Sequence, residues 1–152
     1  MQSHDTQTTP LHLARNNSEK TAKLLIDAGA NINAKASDGE TLLYCSATDA
    51  AWGQPKSHQR YLNLTKYLLS NGPEVNIKLE SGDIILHRAC HWHTEKEAFE
   101  VCGLLIIHGA EINSINLKGH TPLDVALKNN RQKTSKLLRK HGAKTNKELE
   151  AK

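Results

Sequence analysis

Between residues 87 and 93 the chain reads His87-Arg88-Ala89-Cys90-His91-Trp92-His93. Imidazole and thiolate are the side chains that hold zinc. On a helix, residues three and four apart share a face, so His87, Cys90 and His91 could converge on one ion. A thiol near an imidazole could also serve as a nucleophile with its base. The rest of either apparatus is missing. The chain has no C-x2-C pair, no H-E-x-x-H helix, no G-x-S-x-G elbow and no glycine-rich phosphate loop. Neither metal, cofactor, small-molecule substrate nor catalysis is expected.

Charge offers a second chemistry. From Lys118 onward there are ten Lys or Arg against three Asp or Glu, a net +7, while the preceding residues carry ten against thirteen, a net −3. Such a basic end could attract nucleic acid or an anionic surface. Yet Lys128, Arg131, Lys133, Lys136, Arg139 and Lys140 are not interleaved with aromatic rings on which bases could stack. The favoured reading is a solvated helical face, with nucleic-acid binding as the alternative function.

The elements that carry these residues are limited by composition. Hydrophobic residues make up 38% and charged residues 24%, too apolar for disorder and too polar for a membrane span. Aromatics are 4%, so the core must be built from Leu, Ile, Val and Ala, which favours helix on helix. Met1 to Thr9 are polar and lack the apolar stretch of a signal peptide. Cys45, Cys90 and Cys102 are an odd number, which fits a reducing, intracellular and cytoplasmic setting better than a disulfide framework.

Internal repetition decides the architecture. Thr9-Pro10-Leu11-His12-Leu13-Ala14 is echoed by Thr41-Leu42-Leu43-Tyr44-Cys45-Ser46, by Ile84-Ile85-Leu86-His87-Arg88-Ala89 and by Thr121-Pro122-Leu123-Asp124-Val125-Ala126. Each is followed by an apolar stretch and a glycine: Leu24-Leu25-Ile26 and Gly29, Tyr67-Leu68-Leu69 and Gly72, Leu104-Leu105-Ile106 and Gly109, Leu137-Leu138-Arg139 and Gly142. From each glycine to the next repeat's leucine the distance is always fourteen residues. From that leucine to its own glycine it varies: eighteen, twenty-nine, twenty-three and nineteen.

The T-P-L-H-x-A pattern resembles that of the ankyrin-repeat family, from about Thr6 to about Ala143. The resemblance implies an all-α solenoid of four helix-turn-helix repeats with β-turn fingers. The expected domain is 1–143, with repeats at about 6–35, 36–78, 79–115 and 116–143, then a short tail at 144–152. Thr at the start of the motif can cap the inner helix and Pro suits its first turn, while repeats two and three have lost the Pro and some of the Thr, His or Ala positions. Leu11, Leu43, Leu86 and Leu123 should stack in a buried ladder. The glycines end the outer helices, where a left-handed residue is needed. All length variation falls between the two helices of a repeat, so the extra residues at 51–60 are expected as a solvent loop. Polar Thr134, Ser135, Lys136 and Arg139 mark repeat four as a cap, and Thr145-Asn146-Lys147-Glu148 reads as a capping box. The resemblance also counts against the metal and nucleophile readings, because His87 fills a slot that supports neighbouring backbone and Cys90 a small buried slot.

What the resemblance implies about function is protein–protein recognition by a monomer, through the concave face of finger tips and inner-helix positions. The candidate partner-binding residues are Asp38 and Glu40 on the second finger, and Glu80 and Asp83 on the third. Lys118 and His120 lie on the fourth, with Asp49, His91, Trp92 and Lys128 on the inner helices. The acidic fingers and basic fourth repeat would give a charge gradient that orients a partner, with Trp92 as its anchor.

Overall fold

The computed structural model describes residues 9–17, 19–52, 55–91 and 94–151, excluding the side chains of residues 16, 17, 50–52, 55 and 56. Four helix pairs follow one another: α1 (Pro10–Asn17) with α2 (Glu19–Asp27), α3 (Leu42–Trp52) with α4 (Pro55–Ser70), α5 (Ile85–His91) with α6 (Glu95–Ile107), and α7 (Pro122–Lys128) with α8 (Gln132–Lys140). A last short helix, α9 (Asn146–Glu150), closes the described chain. Among the described residues there is no strand, only one isolated antiparallel bridge between Lys35 and Thr41. The fold is all-α, as the sequence implies.

The pairs stack in two rows. The inner helices α1, α3, α5 and α7 touch in order, and the outer helices α2, α4, α6 and α8 do the same. Leu11, Leu43, Leu86 and Leu123 form the expected buried ladder, and Leu68, Leu105 and Leu138 form its counterpart in the outer row. Burying each such side chain is worth about 1.5–3 kcal/mol, so these two ladders are a large part of a core that also holds Leu42, Leu62, Leu64, Ile84 and Val101. The motif threonines begin the inner helices. Thr121 accepts from the Asp124 amide at 3.2 Å while Asp124 accepts from the Thr121 amide at 2.9 Å, a reciprocal cap.

Polar groups then tie each repeat to the next. The Nε2 of His12 lies 3.0 Å from the Glu40 carbonyl, and that of His87 lies 3.0 Å from the His120 carbonyl. A carbonyl only accepts, so Nε2 carries the proton in both rings. In repeat three the motif threonine is replaced by Ile84, whose amide donates to Nδ1 of His87 at 3.2 Å. A second set lies four residues beyond each outer-helix glycine. Asn33, Asn76 and Asn113 each present a side-chain oxygen, 2.7 Å in every case, to the amides of Glu74, Glu111 and Lys144 of the following repeat. Asn76 and Asn113 also donate to the carbonyls of Gly109 and Gly142.

The structure corrects the expectation for the insertion. The extra residues of repeat two are mostly helix, because α3 continues to Trp52 and α4 begins at Pro55; Gly53 and Gln54 lie outside the described residues. Inserted His58 is half-buried and faces Glu97 and Glu100 of α6 at 3.8 and 3.6 Å, and inserted Arg60 donates to the Arg15 carbonyl at 3.1 Å. The extension therefore packs across its neighbours instead of looping into solvent. The tail is helical as read from its capping box: Thr145 and Glu148 cap each other, and Arg139 reaches Glu148 at 2.6 Å. The Asn146 amide donates to Asp124 and the Thr121 hydroxyl to the Lys144 carbonyl, so the tail is tied to the start of α7.

Two groups make the stack sensitive to pH. Burial lowers the pKa of His87 below its ordinary 6.5, so the unfolded chain takes up a proton first as pH falls. The stability contributed by neutral His87 is whole above pH 6.5 and is lost progressively below it. Urea melts at pH 7.5 and 5.5 should show a larger loss for the native chain than for His87→Gln. Glu148 behaves oppositely: the Arg139 guanidinium, then the Thr145 amide, hold its carboxyl down at about 2. Its hold on the tail is present above the ordinary 4.5 and fades as pH drops through 2. A carboxyl-detected NMR titration should place the Glu148 midpoint near 2, returning toward 4.5 in Arg139→Ala with little change in the melting of the stack.

Candidate functional site

The inter-repeat connections form three fingers closed alike. The amides of Ala36, Leu79 and Asn116 donate to the carbonyls of Glu40, Asp83 and His120, at 2.8, 3.0 and 3.0 Å. Each finger turns at a glycine ten residues beyond the preceding outer-helix glycine: Gly39, Gly82 and Gly119. At the third finger the turn is also a contact. Gly82 has φ +75°, and a β-carbon there would lie 2.8 Å from the Leu117 amide nitrogen of the fourth finger. That amide donates to the Ser81 carbonyl at 3.0 Å, and the Asn116 side chain donates to Asp83 at 2.7 Å. The third and fourth fingers are thereby locked side by side.

Behind this pair lies a groove of about 170 Å³. Its walls include Asp83, Lys118 and His120 from the fingers and His91 and Lys128 from the ends of α5 and α7, half of the residues selected by sequence. Arg88, His87, Asn116 and Val125 complete the floor and sides. The Asp83 carboxylate is held by Asn116 and lies 3.7 Å from the Arg88 guanidinium, whose Nε also donates to the Tyr44 hydroxyl at 2.7 Å. Burial pushes Tyr44 up to about 12, so it remains a neutral phenol that can accept. The Lys118 and Lys128 side chains are exposed and have no ion-pair partner among the described residues.

The other selected residues stand apart from the groove. Asp38 accepts from the Glu40 amide at the tip of the second finger, and the Glu40 carboxylate lies 3.4 Å from the Cys45 thiol. Glu80 is exposed on the third finger. Asp49 takes both its oxygens to the Arg15 guanidinium of the neighbouring inner helix, so it is engaged in a bridge between repeats one and two. Trp92 lies outside the described residues. Arg88 and Asn116 were not selected from sequence, although a signal existed. Arg88 occupies the variable slot of T-P-L-H-x-A, and Asn116 stands where the other fingers carry Ala36 and Leu79.

Of the segment 87–93, Trp92 and His93 lie outside the described residues. Among the described residues no group of three His, Cys, Asp or Glu could hold a metal ion. Cys90 is fully buried, its thiol 3.5 Å from that of Cys102, and burial pushes its pKa well up, away from the reactive thiolate. Burial likewise pushes Cys45 up to about 12, helped by the Glu40 charge. No described helix is long and apolar enough to cross a membrane.

Comparison with known proteins agrees with this geometry. Residues 54–148 match the profile of ankyrin repeats in three copies, and residues 6–37 match that of a single ankyrin repeat. The chain belongs to the ankyrin-repeat family. It is 30% identical to mouse (Mus musculus) ankyrin repeat and SOCS box protein 16 over 128 residues, 81% of this chain and 26% of that protein. It is 34% identical to a putative ankyrin repeat protein of Rickettsia felis over 104 residues, 66% of this chain and 42% of that one. It is 36% identical to mouse protein phosphatase 1 regulatory subunit 12A over 66 residues, 43% of this chain and 6% of that protein. The ankyrin chain thus spans less than half the length of each. Ankyrin repeats are generally protein-interaction modules.

The locked fingers give a sharp comparison. Gly119→Ala places a methyl in a left-handed residue with its nearest neighbour at 3.7 Å, so the loss should be about 1–2 kcal/mol of conformational strain. Gly82→Ala adds a clash with backbone, for an expected further 1–3 kcal/mol. Guanidinium melts of the two variants should separate by that margin; equal losses would mean that the two fingers are not in contact.

Proposed function

We propose that this ankyrin chain is a non-catalytic recognition module that binds a partner protein, without a cofactor, through the concave face of finger tips and inner helices. The observation that carries the reading is the groove on that side. It gathers Asp83, His91, Lys118, His120 and Lys128 from two fingers and two inner helices onto one preformed surface. A preformed surface limits the ordering cost of association. The likeness to a phosphatase regulatory subunit supports an accessory role rather than a catalytic one. The basic residues of the fourth repeat are divided: Lys118 and Lys128 line the groove, whereas Arg139 pairs with Glu148 on the outer side. This favours a protein over a nucleic acid.

The test separates faces. Proteins captured by the intact chain should be lost with Leu117→Asp, or with Glu80 and Asp38 both changed to Lys. They should be kept with Lys23→Ala or Lys136→Ala on the outer helices. Trp92→Ala should weaken the captured partner at least tenfold while the melting temperature moves little. Capture that is indifferent to the finger variants but abolished by the outer ones would place the site on the opposite face.

A further inference from the structure

If partners dock on the concave face, the groove between the third and fourth fingers gives that face a definite chemical preference. Building on that reading, we infer that the groove holds the carboxylate of a partner's Asp or Glu side chain, presented by an acidic peptide segment that carries an apolar residue beside it. The groove has three fixed cations in its walls, Arg88, Lys118 and Lys128, and one carboxylate, Asp83. Asp83 is already satisfied by Asn116 and faces Arg88. Lys118 and Lys128 are left without a counter-charge among the described residues, and His120 lies beside them in the wall.

Size limits the occupant. At about 170 Å³ the groove is smaller than the roughly 300–1,000 Å³ typical of whole small-molecule sites. It suits the end of one side chain whose backbone stays outside. Among the described residues that line it none is Phe, Tyr or Trp, which gives a nucleobase no described ring to stack on. Val125 in the floor offers an apolar seat for a methylene stem. Beside Lys118, Leu117 stands 80% exposed at the finger tip, where an apolar neighbour on the same peptide would cover it. Lys is a compact point charge on a flexible stem, so a pair of lysines can close on a carboxylate arriving from several angles.

The experiment is a selection of random peptides displayed on phage against the intact chain, followed by affinity measurements on the winners. The expected result is a shared Asp or Glu next to an apolar residue. Changing that acid to Asn or Gln should weaken binding at least tenfold, and Lys118→Glu or Lys128→Glu should do the same without lowering the melting temperature. A peptide with Lys in place of the acid should recover affinity for Lys118→Glu. Lys118→Gln, a milder change on an exposed side chain, guards against a folding defect. Winners without an acidic position that still lose affinity for Lys118→Glu would overturn the carboxylate assignment and leave the concave-face reading standing. Winners unaffected by any groove variant, or no winners at all, would also overturn it, and the face-mapping capture then decides the broader reading alone. A phosphoserine at the acidic position that tightens binding more than tenfold would reassign the groove to phosphate.

Discussion

The bond on which the arrangement depends joins an asparagine side chain to the backbone of the next repeat. A single pair of short helices has too little apolar surface to bury alone, so each repeat needs its neighbour in one register. Leucine ladders supply a large part of the cohesion, but a ladder of similar leucines tolerates sliding. Asn33, Asn76 and Asn113 remove that freedom, because each reaches the amide two residues beyond the following outer-helix glycine. Each such bond is worth only about 0.5–1.5 kcal/mol, less where water competes. The asparagines therefore specify the stack more than they stabilise it.

That register explains why fourteen residues always separate an outer-helix glycine from the next inner leucine. The segment must end a helix, present an asparagine at the fourth position, turn a finger at the tenth and restart a helix with its leucine in the core. Adding a residue anywhere in it would break at least one of these alignments. Between the two helices of a repeat the spacing is not held constant, and there the length varies from repeat to repeat, although His58 and Arg60 of the longer repeat two still reach their neighbours. The groove does not follow from this regularity alone. Between the second and third fingers the space is only about 10 Å³, against about 170 Å³ between the third and fourth, so the side chains lining each junction decide whether a groove opens.

Legibility in the sequence follows from this division. Repeated slots were readable because each demands one chemistry: threonine for a cap, histidine for a carbonyl of the next finger, glycine for a left-handed stop. The asparagines were equally visible at a constant offset, yet their role shows only when the repeats are stacked. The insertion was misread because length alone does not distinguish a loop from a longer helix. The lysine-rich part of the groove was legible from Lys118, His120 and Lys128 by matching repeats. Asp49 could not be assigned in the same way, since its partner Arg15 is thirty-four residues away and nothing in either motif pairs them. Arg88 and Asn116 occupy slots the repeat leaves open, so only the contacts reveal what they do.

Departures from the repeat's own pattern are therefore the best guide to what is individual here. In repeats one and three a histidine donates to the next finger's carbonyl, whereas repeat two has Tyr44 in that slot. A neutral phenol can accept as well as donate, and Tyr44 accepts from Arg88 of the next inner helix. The same guanidinium faces Asp83, so a bond that elsewhere only props up backbone here holds a cation against the groove's single carboxylate. In repeat four the slot carries Asp124, which caps its own helix and receives the Asn146 amide of the following segment. One slot thus has three outcomes. Histidine holds a carbonyl of the next finger, aspartate caps its own helix and holds the segment that follows, and tyrosine spends its polar atom on Arg88, the residue that faces Asp83.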